Sequence, residues 1–129
     1  MKSITPPTIR PPFGNYSHGV TVPPGMRILM TSGQLGATVD DVVPDDVEEQ
    51  ARICFANLTA ILAEAGMASA NVIRINAFVT DRADFPAYMA VRDEWLAGVD
   101  VLPASTLVIV SGFTRPEFKV EVEVTAAAF

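Results

Sequence analysis

The chain has 129 residues, of which 15 are acidic and nine are basic, so its formal net charge at pH 7 is −6. An acidic balance without a cluster of Lys or Arg argues against nucleic acid and anionic membranes as partners. One Cys excludes an intramolecular disulfide, and one Cys with one His argues against a zinc site. Half of the residues are apolar, so residues 1–129 predict a single domain whose core needs neither disulfide nor metal.

The first residues of the chain lack the pattern of a targeting segment. Residues 1–14 contain four prolines and no unbroken apolar stretch, so we expect no signal peptide. The longest apolar stretches fall well short of the roughly 20 residues that span a bilayer. We therefore expect a cytoplasmic protein without membrane contact, in which Cys54 is a buried structural thiol.

Three proline pairs divide the first 25 residues, which are expected to be extended and rich in turns. Residues 16–22 predict a first strand, and residues 27–32 predict a second strand after the turn Pro23-Pro24-Gly25. We expect these two strands to pair as a hairpin. Residues 33–44 are expected to form a loop.

The segment after this loop has the clearest helical pattern. Asp45 is placed to cap the helix, and Glu48 three residues later completes a capping-box pattern. Gly66 is placed to end the helix. Between them, apolar residues recur at spacings of three and four, which predicts one buried helix face. These residues are Val47, Ala51, Cys54, Leu58, Ile61, Leu62 and Ala65.

The second half of the chain predicts three strands and one helix. Residues 71–80 predict the third strand, and residues 106–111 and 118–126 predict the fourth and fifth. Asp84 is placed to cap the second helix, which tolerates Pro86 in its first turn. The third strand is predicted to place Ile73, Ile75, Ala77 and Val79 on one face and Val72, Arg74, Asn76 and Phe78 on the other.

The element order β-β-α-β-α-β-β predicts an α+β fold, a two-layer sandwich whose sheet carries two helices on one face. Two helices can cover only that face. The other face combines polar residues with valines and a phenylalanine, and a chain this apolar would not leave it in water. We therefore expect this face to be buried against other copies of the chain.

Six short motifs occur in an order and spacing typical of one family. They are Gly14-Asn15-Tyr16-Ser17, Thr31-Ser32-Gly33-Gln34, the helix positions Gln50, Asn57, Leu58, Ile61, Leu62, Ala65 and Gly66, Phe78-Val79-Thr80-Asp81 with Asp84-Phe85, Pro103-Ala104-Ser105-Thr106, and Val120-Glu121-Val122-Glu123. With these motifs the chain resembles the RidA (YjgF-like) family of enamine/imine deaminases over nearly its whole length.

The resemblance implies a chorismate-mutase-like fold and a homotrimer with small-molecule clefts at the subunit boundaries. It also implies the hydrolysis of reactive enamines or imines to a keto acid and ammonia, without cofactor or metal. By motif position, the resemblance assigns catalytic roles to Tyr16 and Glu121 and substrate contact to Ser32.

The family's carboxylate-binding arginine falls on Ser105, which makes this chain a divergent member. Ser105 offers one neutral donor in place of a planar two-donor fork. We therefore expect small 2-imino acids to bind roughly ten- to a hundred-fold more weakly. Leu107, two residues further on, makes this strand more apolar, so Ser105 and Leu107 favour a less charged or larger aromatic ligand.

Two arginines elsewhere in the chain could replace the missing cation in substrate binding. Arg74 is expected to point to the face of the sheet without helices, and Arg92 lies on the second helix. The alternatives are that Arg74 pairs with a strand carboxylate such as Glu123 and that Arg92 is a solvated helix residue.

Glu121 and Glu123 are two residues apart in a strand, so they point to the same side, roughly 6.5–7 Å apart. If that side is buried, each raises the pKa of the other, and one can orient water as a base. Motif position favours Glu121. The alternative is that one or both form ion pairs with Lys119, Arg74 or a neighbouring subunit.

We therefore predict a hydrolase that deaminates an enamine, imine or related C–N compound other than small 2-imino acids, with water activated by Glu121. The alternative is a non-catalytic homotrimeric protein of the same family that binds small molecules. No sequence feature favours a protein-interaction or chaperone-like role.

Overall fold

The computed structural model describes residues 1–129, and its elements follow the predicted order with two short strands added. The strands are β1 (Lys2–Ile4), β2 (Gly19–Thr21), β3 (Arg27–Met30), β4 (Gln34–Leu35), β5 (Val72–Val79), β6 (Ala104–Ile109) and β7 (Val120–Ala128). The helices are α1 (Val47–Glu64) and α2 (Phe85–Trp95), and 3-10 turns occupy Ser69–Asn71 and Arg82–Asp84. The predicted α+β fold is confirmed.

The main sheet has the strand order β3-β7-β5-β6, and β4 also pairs with β7. β5 and β6 are parallel, whereas β7 is antiparallel to β3, β4 and β5. β6 therefore forms one edge of the sheet, and β3 with β4 forms the other. Both helices contribute to the core on one face of this sheet. Neither helix combines the length and apolarity that crossing a membrane requires.

The alternation of β7 explains why one face of the sheet is buried. Val120, Val122 and Val124 point toward the helices and are 3% exposed or less. Because side chains alternate along a strand, Glu121 and Glu123 point to the other face and are half-buried. We call this second face, which no helix covers, the open face. The helix side of the core includes Val47, Ala51, Cys54, Phe55, Leu58 and Leu62 of α1, so the prediction of a buried Cys54 is confirmed.

The predicted hairpin between residues 16–22 and 27–32 is wrong. β2 pairs instead with β1 in a separate two-stranded sheet, and β3 pairs with β7. Pro23 and Pro24 have no N–H to donate to a ladder between the two segments. The edge of β7 offers β3 four paired positions, so a distant partner replaces the neighbouring one.

Two strand predictions change in register. A shift in the pairing of β5 with β7 falls between Val72 and Arg74. This irregularity places Val72 in the core at 1% exposure, whereas Ile73 is only half-buried, the reverse of the prediction. β6 runs two residues earlier than predicted, because its pairing with β5 begins at Ala104 and ends at Ile109.

The predicted helix caps are also corrected. α1 begins after Asp46 rather than Asp45, and the Asp46 side chain makes no capping hydrogen bond. Asp84 precedes α2 without capping it, whereas Asp81 accepts a hydrogen bond from the Ala83 N–H at 2.9 Å in the preceding 3-10 turn. Gly66 follows α1 as predicted and adopts a φ of 70°, which suits a residue without a Cβ.

Candidate active site

The structure divides the predicted site residues between the two faces of the main sheet. Ser105 of β6 pairs with Ile75 of β5, which is fully buried under the helices. Glu121 of β7 pairs with Phe78 of β5 on the open face. Because directly paired residues share a face, Ser105 and Glu121 lie on opposite sides of the sheet.

A cleft of about 310 Å³ lies beside β6 on the helix-covered side, and we call it the β6 cleft. It is lined by the N-terminal segment, α2 and β6, through Phe13, Gly14, Tyr16, Phe85, Met89, Arg92, Ser105 and Leu107. The structure therefore brings together Tyr16, Arg92, Ser105 and Leu107, which the sequence analysis named as separate candidates. Phe13, Phe85 and Met89 were missed, although Phe85 lies within one of the quoted motifs.

Ser17 holds the N-terminal segment against the start of β6. Its hydroxyl donates to the Leu102 carbonyl at 2.6 Å, and its N–H donates to the Pro103 carbonyl at 3.0 Å. Ser17 is only 4% exposed, and it forms a parallel bridge with Ala104. These contacts fix the neighbouring Tyr16 at the β6 cleft. The only signal for this anchoring role in the sequence is the position of Ser17 in the first motif.

Tyr16 contributes a hydroxyl group to the cleft. Its phenol oxygen accepts a hydrogen bond from the Phe13 N–H at 3.0 Å. A phenol can accept and donate at once, so this contact orients the Tyr16 hydroxyl and leaves its proton available to a ligand.

Arg92 is buried, at 4% exposure, so the interpretation of this residue as solvated is wrong. Its Nε and Nη2 both donate to Oδ1 of Asp93, at 3.1 and 3.0 Å. A Cβ added to Gly14 would lie 3.7 Å from Nη2, so the guanidinium reaches across to the N-terminal segment. Arg92 is the one charged side chain that lines the β6 cleft.

Arg74 lies on the open face, as predicted, and outside the β6 cleft. Its Nη2 donates to Oγ1 of Thr106 at 2.8 Å. The alternative ion pair with Glu123 is absent, and Arg74 contacts the neighbouring edge strand instead.

Glu121 forms a second cluster with the segment between β3 and β4. A Cβ added to Gly33 would collide with Oε1 of Glu121, so a side chain at this position would require the Glu121 carboxylate to move. Burial raises the pKa of Glu121, and the Glu123 carboxylate on the same face raises it further. Ser32 precedes Gly33 and is exposed, and its carbonyl accepts a hydrogen bond from Nε2 of Gln34 at 3.3 Å. We call Ser32, Gly33 and Glu121 the Glu121 cluster.

The two groups of residues can each do part of one reaction. The β6 cleft offers a hydroxyl, a guanidinium and apolar walls, and the Glu121 cluster offers a carboxylate suited to accept a proton. The structure brings no three His, Cys, Asp or Glu side chains into an arrangement that could hold a metal ion.

Comparison with known proteins defines the class of α+β protein to which this sheet and cleft belong. Residues 8–128 match the family described as Endoribonuclease L-PSP. A RutC family protein of Aquifex aeolicus is 30% identical over 129 residues, which cover 99% of this chain and 98% of the relative. A 2-iminobutanoate/2-iminopropanoate deaminase of Dermatophagoides farinae is 31% identical over 94 residues, which cover 71% of each.

Solved structures show the same fold. YyfB of Yersinia pestis, a Rid-family protein of unknown function, superposes with a TM-score of 0.88 at 28% identity and covers 98% of both chains. TdcF of Escherichia coli with bound serine gives a TM-score of 0.75 at 27% identity and covers both chains completely. The chain therefore belongs to the L-PSP (RidA, YjgF-like) family, and the predicted membership is confirmed.

Proposed function

We propose that the chain is a hydrolase that deaminates an enamine, imine or related C–N compound, with Glu121 as the base that activates water. The observation that carries this proposal is the half-buried Glu121 carboxylate packed against Gly33. A carboxyl group with a raised pKa is a stronger base once it is ionised. The deaminase name of one relative supports this class of reaction.

The proposed site combines the β6 cleft of one copy of the chain with the Glu121 cluster of another. Within one chain these lie on opposite faces of the sheet, with β6 at one edge and β4 at the other. The open face also exposes apolar side chains that a second copy would cover, because Ile28 is 53%, Met30 76% and Val108 40% exposed. With the family resemblance, this favours a homotrimer with one small-molecule site at each boundary between two copies, which we call the seam.

The chemistry at such a seam is the addition of water to a C=N bond. Glu121 accepts a proton from water while the oxygen bonds to the imine carbon, which forms a tetrahedral carbinolamine. The proton then passes from Glu121 to the nitrogen and the C–N bond breaks. Ammonia leaves as the C=O bond forms, and the hydroxyl proton of the carbinolamine returns to Glu121. An enamine enters this sequence after protonation at carbon. The step is a hydrolysis without net oxidation or reduction, so it needs no redox cofactor.

The β6 cleft has the groups that position the substrate in this step. The Tyr16 hydroxyl, oriented by the Phe13 N–H, can donate its proton to the substrate nitrogen or to the carbinolamine. Ser105 and Ser32 add neutral hydroxyls from the two sides of the seam, and Leu107 contributes apolar contact. Arg74 lies on the open face, where a neighbouring copy would bring it near the seam.

The test is the rate of imine decay. Imines with and without a carboxylate are generated by an amine or amino-acid oxidase, and their loss is followed with and without the purified chain. We expect the chain to accelerate this decay and Glu121→Gln to reduce the rate about 10²- to 10⁴-fold, the usual contribution of a general base.

Glu49→Gln is the matched control, because Glu49 is an exposed carboxylate in the first turn of α1. This control should retain the full rate. The proposal fails if the chain accelerates the decay of none of these imines. Saturable ligand binding without turnover would then identify a non-catalytic small-molecule-binding protein.

A further inference from the structure

We propose that Arg92 selects the substrate of this site by binding its carboxylate, and that the substrate is an acid with an apolar side group. The inference rests on the proposed function, since it names the substrate class of the same cleft. It assigns the anion-binding role to a residue of α2, whereas the resemblance placed this role on β6, at the position of Ser105.

The geometry of the guanidinium leaves one of its edges free for a ligand. Asp93 engages the Nε/Nη2 edge through a single oxygen, Oδ1. A guanidinium has five N–H donors in a fixed plane, so Nη1 and the second N–H of Nη2 form another edge. Nη1 has no hydrogen-bond partner within the chain. This second edge is the planar fork that suits the two oxygens of a carboxylate.

Burial makes this free edge significant. The Arg92 side chain is only 5% exposed, whereas that of Asp93 is 35% exposed. Arg92 lines the β6 cleft, whereas Asp93, which binds the Nε/Nη2 edge, is not among the residues that line it. A buried charge is costly unless its hydrogen-bonding groups have partners. The buried side-chain atoms without a hydrogen-bond partner are Oη of Tyr88 and Nε of Arg115, so the Nη1/Nη2 edge of Arg92 is reached by water. A carboxylate bound in the cleft would replace this water with a charged partner.

The other walls of the cleft define the rest of the ligand. Phe13, Phe85, Met89 and Leu107 are apolar, and the Tyr16 ring lies with them. A carboxylate at Arg92 thus has space beside it for an aliphatic or aromatic side group. A small neutral molecule would leave the free edge of Arg92 without a charged partner.

Arg92 also changes what the serine at position 105 implies. The weaker binding of 2-imino acids was expected because Ser105 cannot form a two-donor contact. With Arg92 in the same cleft, that loss no longer follows, because the α2 wall supplies the fork. The substrate carboxylate then points toward α2, and Ser105 adds at most a neutral hydrogen bond.

The test measures binding, so it does not depend on turnover. The probe is 4-methyl-2-oxopentanoate, which has an apolar side group and no C=N bond, and its amide is the uncharged counterpart. By calorimetry, we expect the chain to bind the acid at least ten-fold more tightly than the amide. Arg92→Met should weaken acid binding about 10- to 100-fold and leave amide binding nearly unchanged.

The matched control is Arg52→Met, which removes the same charge from an exposed position on α1. It should keep the preference for the acid. The guanidinium NMR resonances of Arg92 should also shift with the acid and not with the amide, which a purely structural role would not produce.

If Arg92→Met does not fold, the same binding measurement is made on Arg92→Lys, because this variant keeps the charge and loses the planar fork. We expect Arg92→Lys to lower the logarithm of the acid-to-amide affinity ratio by at least half. The inference is overturned if the wild-type chain shows no preference for the acid, or if the folded Arg92 variant keeps all of it. Acid binding through Arg92 without imine turnover would instead refute only the proposed hydrolase activity.

Discussion

The two faces of the main sheet are built from the same strands and have opposite properties. On the helix-covered face, β7 presents Val120, Val122 and Val124, which are almost completely buried. On the open face, the alternate residues Glu121 and Glu123 are half-buried. One face stabilises the fold through apolar packing, and the other keeps polar groups that water and a ligand can reach. A strand can serve both purposes because its side chains alternate.

The largest effect should come from a cavity on the helix-covered face. Leu58 of α1 is fully buried in the core, so Leu58→Ala should lower the free energy of unfolding by about 2–5 kcal/mol. Urea denaturation of the purified chain measures this change. Val39→Ala is the control, because Val39 is fully exposed, and it should change stability by less than about 0.5 kcal/mol. Similar losses in both variants would contradict the assignment of the core.

A charge on the open face should affect association rather than folding. Met30 is 76% exposed in one chain and faces the side that we expect a second copy to cover. We expect the wild-type chain to have about three times the 13.8 kDa mass of one chain in solution. Met30→Asp should weaken association at least ten-fold, because an unpaired carboxylate would be buried at the interface.

Light scattering after size-exclusion chromatography measures this mass as the protein is diluted. Circular dichroism should show that Met30→Asp keeps the secondary structure of the parent. Val39→Asp places the same charge on an exposed loop and should remain assembled. A wild-type chain that is a monomer at micromolar concentration would refute the composite site.

The smallest expected effect is the pH dependence that Glu121 produces. Its pKa is raised in the folded chain, first by burial and then by Glu123, so the folded state holds this proton more tightly than the unfolded state. The stability associated with Glu121 is therefore fully present below its unfolded pKa, near 4.5, and is lost as the pH rises through the raised value. As the pH rises through this range, the free energy of unfolding of Glu121→Gln should increase relative to that of the parent. Above the raised pKa the difference between the two should stay constant.

Urea denaturation at several pH values from 3 to 8 follows this difference in the free energy of unfolding. In the same range, the rate of imine hydrolysis should rise with pH as Glu121 ionises, with a midpoint above 4.5. A stability difference that is constant with pH would mean that Glu121 has an ordinary pKa.

Local patterns predicted most of the fold. The spacing of apolar residues in α1, the alternation in β7 and the glycine that follows α1 all depend on neighbours within a few residues, and the structure confirms them. Gln50 was not expected in the core, because a polar side chain gives no apolar signal. It is buried because Nε2 donates to the Pro44 and Glu117 carbonyls and Oε1 accepts from the Lys119 N–H, all at 2.8–2.9 Å.

The candidate site was predictable only in part. The family motifs identified Tyr16, Ser105 and Glu121 one by one, but not their positions on different faces of the sheet. For Arg92 the pattern was ambiguous, since the residue follows Val91 on a helix with both apolar and polar neighbours. Its burial depends on how α2 packs against β6 and the N-terminal segment.

By itself, the amino-acid sequence determined the two helices, most strands of the main sheet, the buried face of β7 and the family. These features follow from side-chain periodicity, turn residues and short motifs, which act over a few neighbouring positions. Only the tertiary structure decided that β3 pairs with β7, that Glu121 and Ser105 lie on opposite faces, and that Arg92 lines the β6 cleft. The physical reason is that strand pairing and helix packing join segments far apart in the chain, where many partners satisfy the same local pattern.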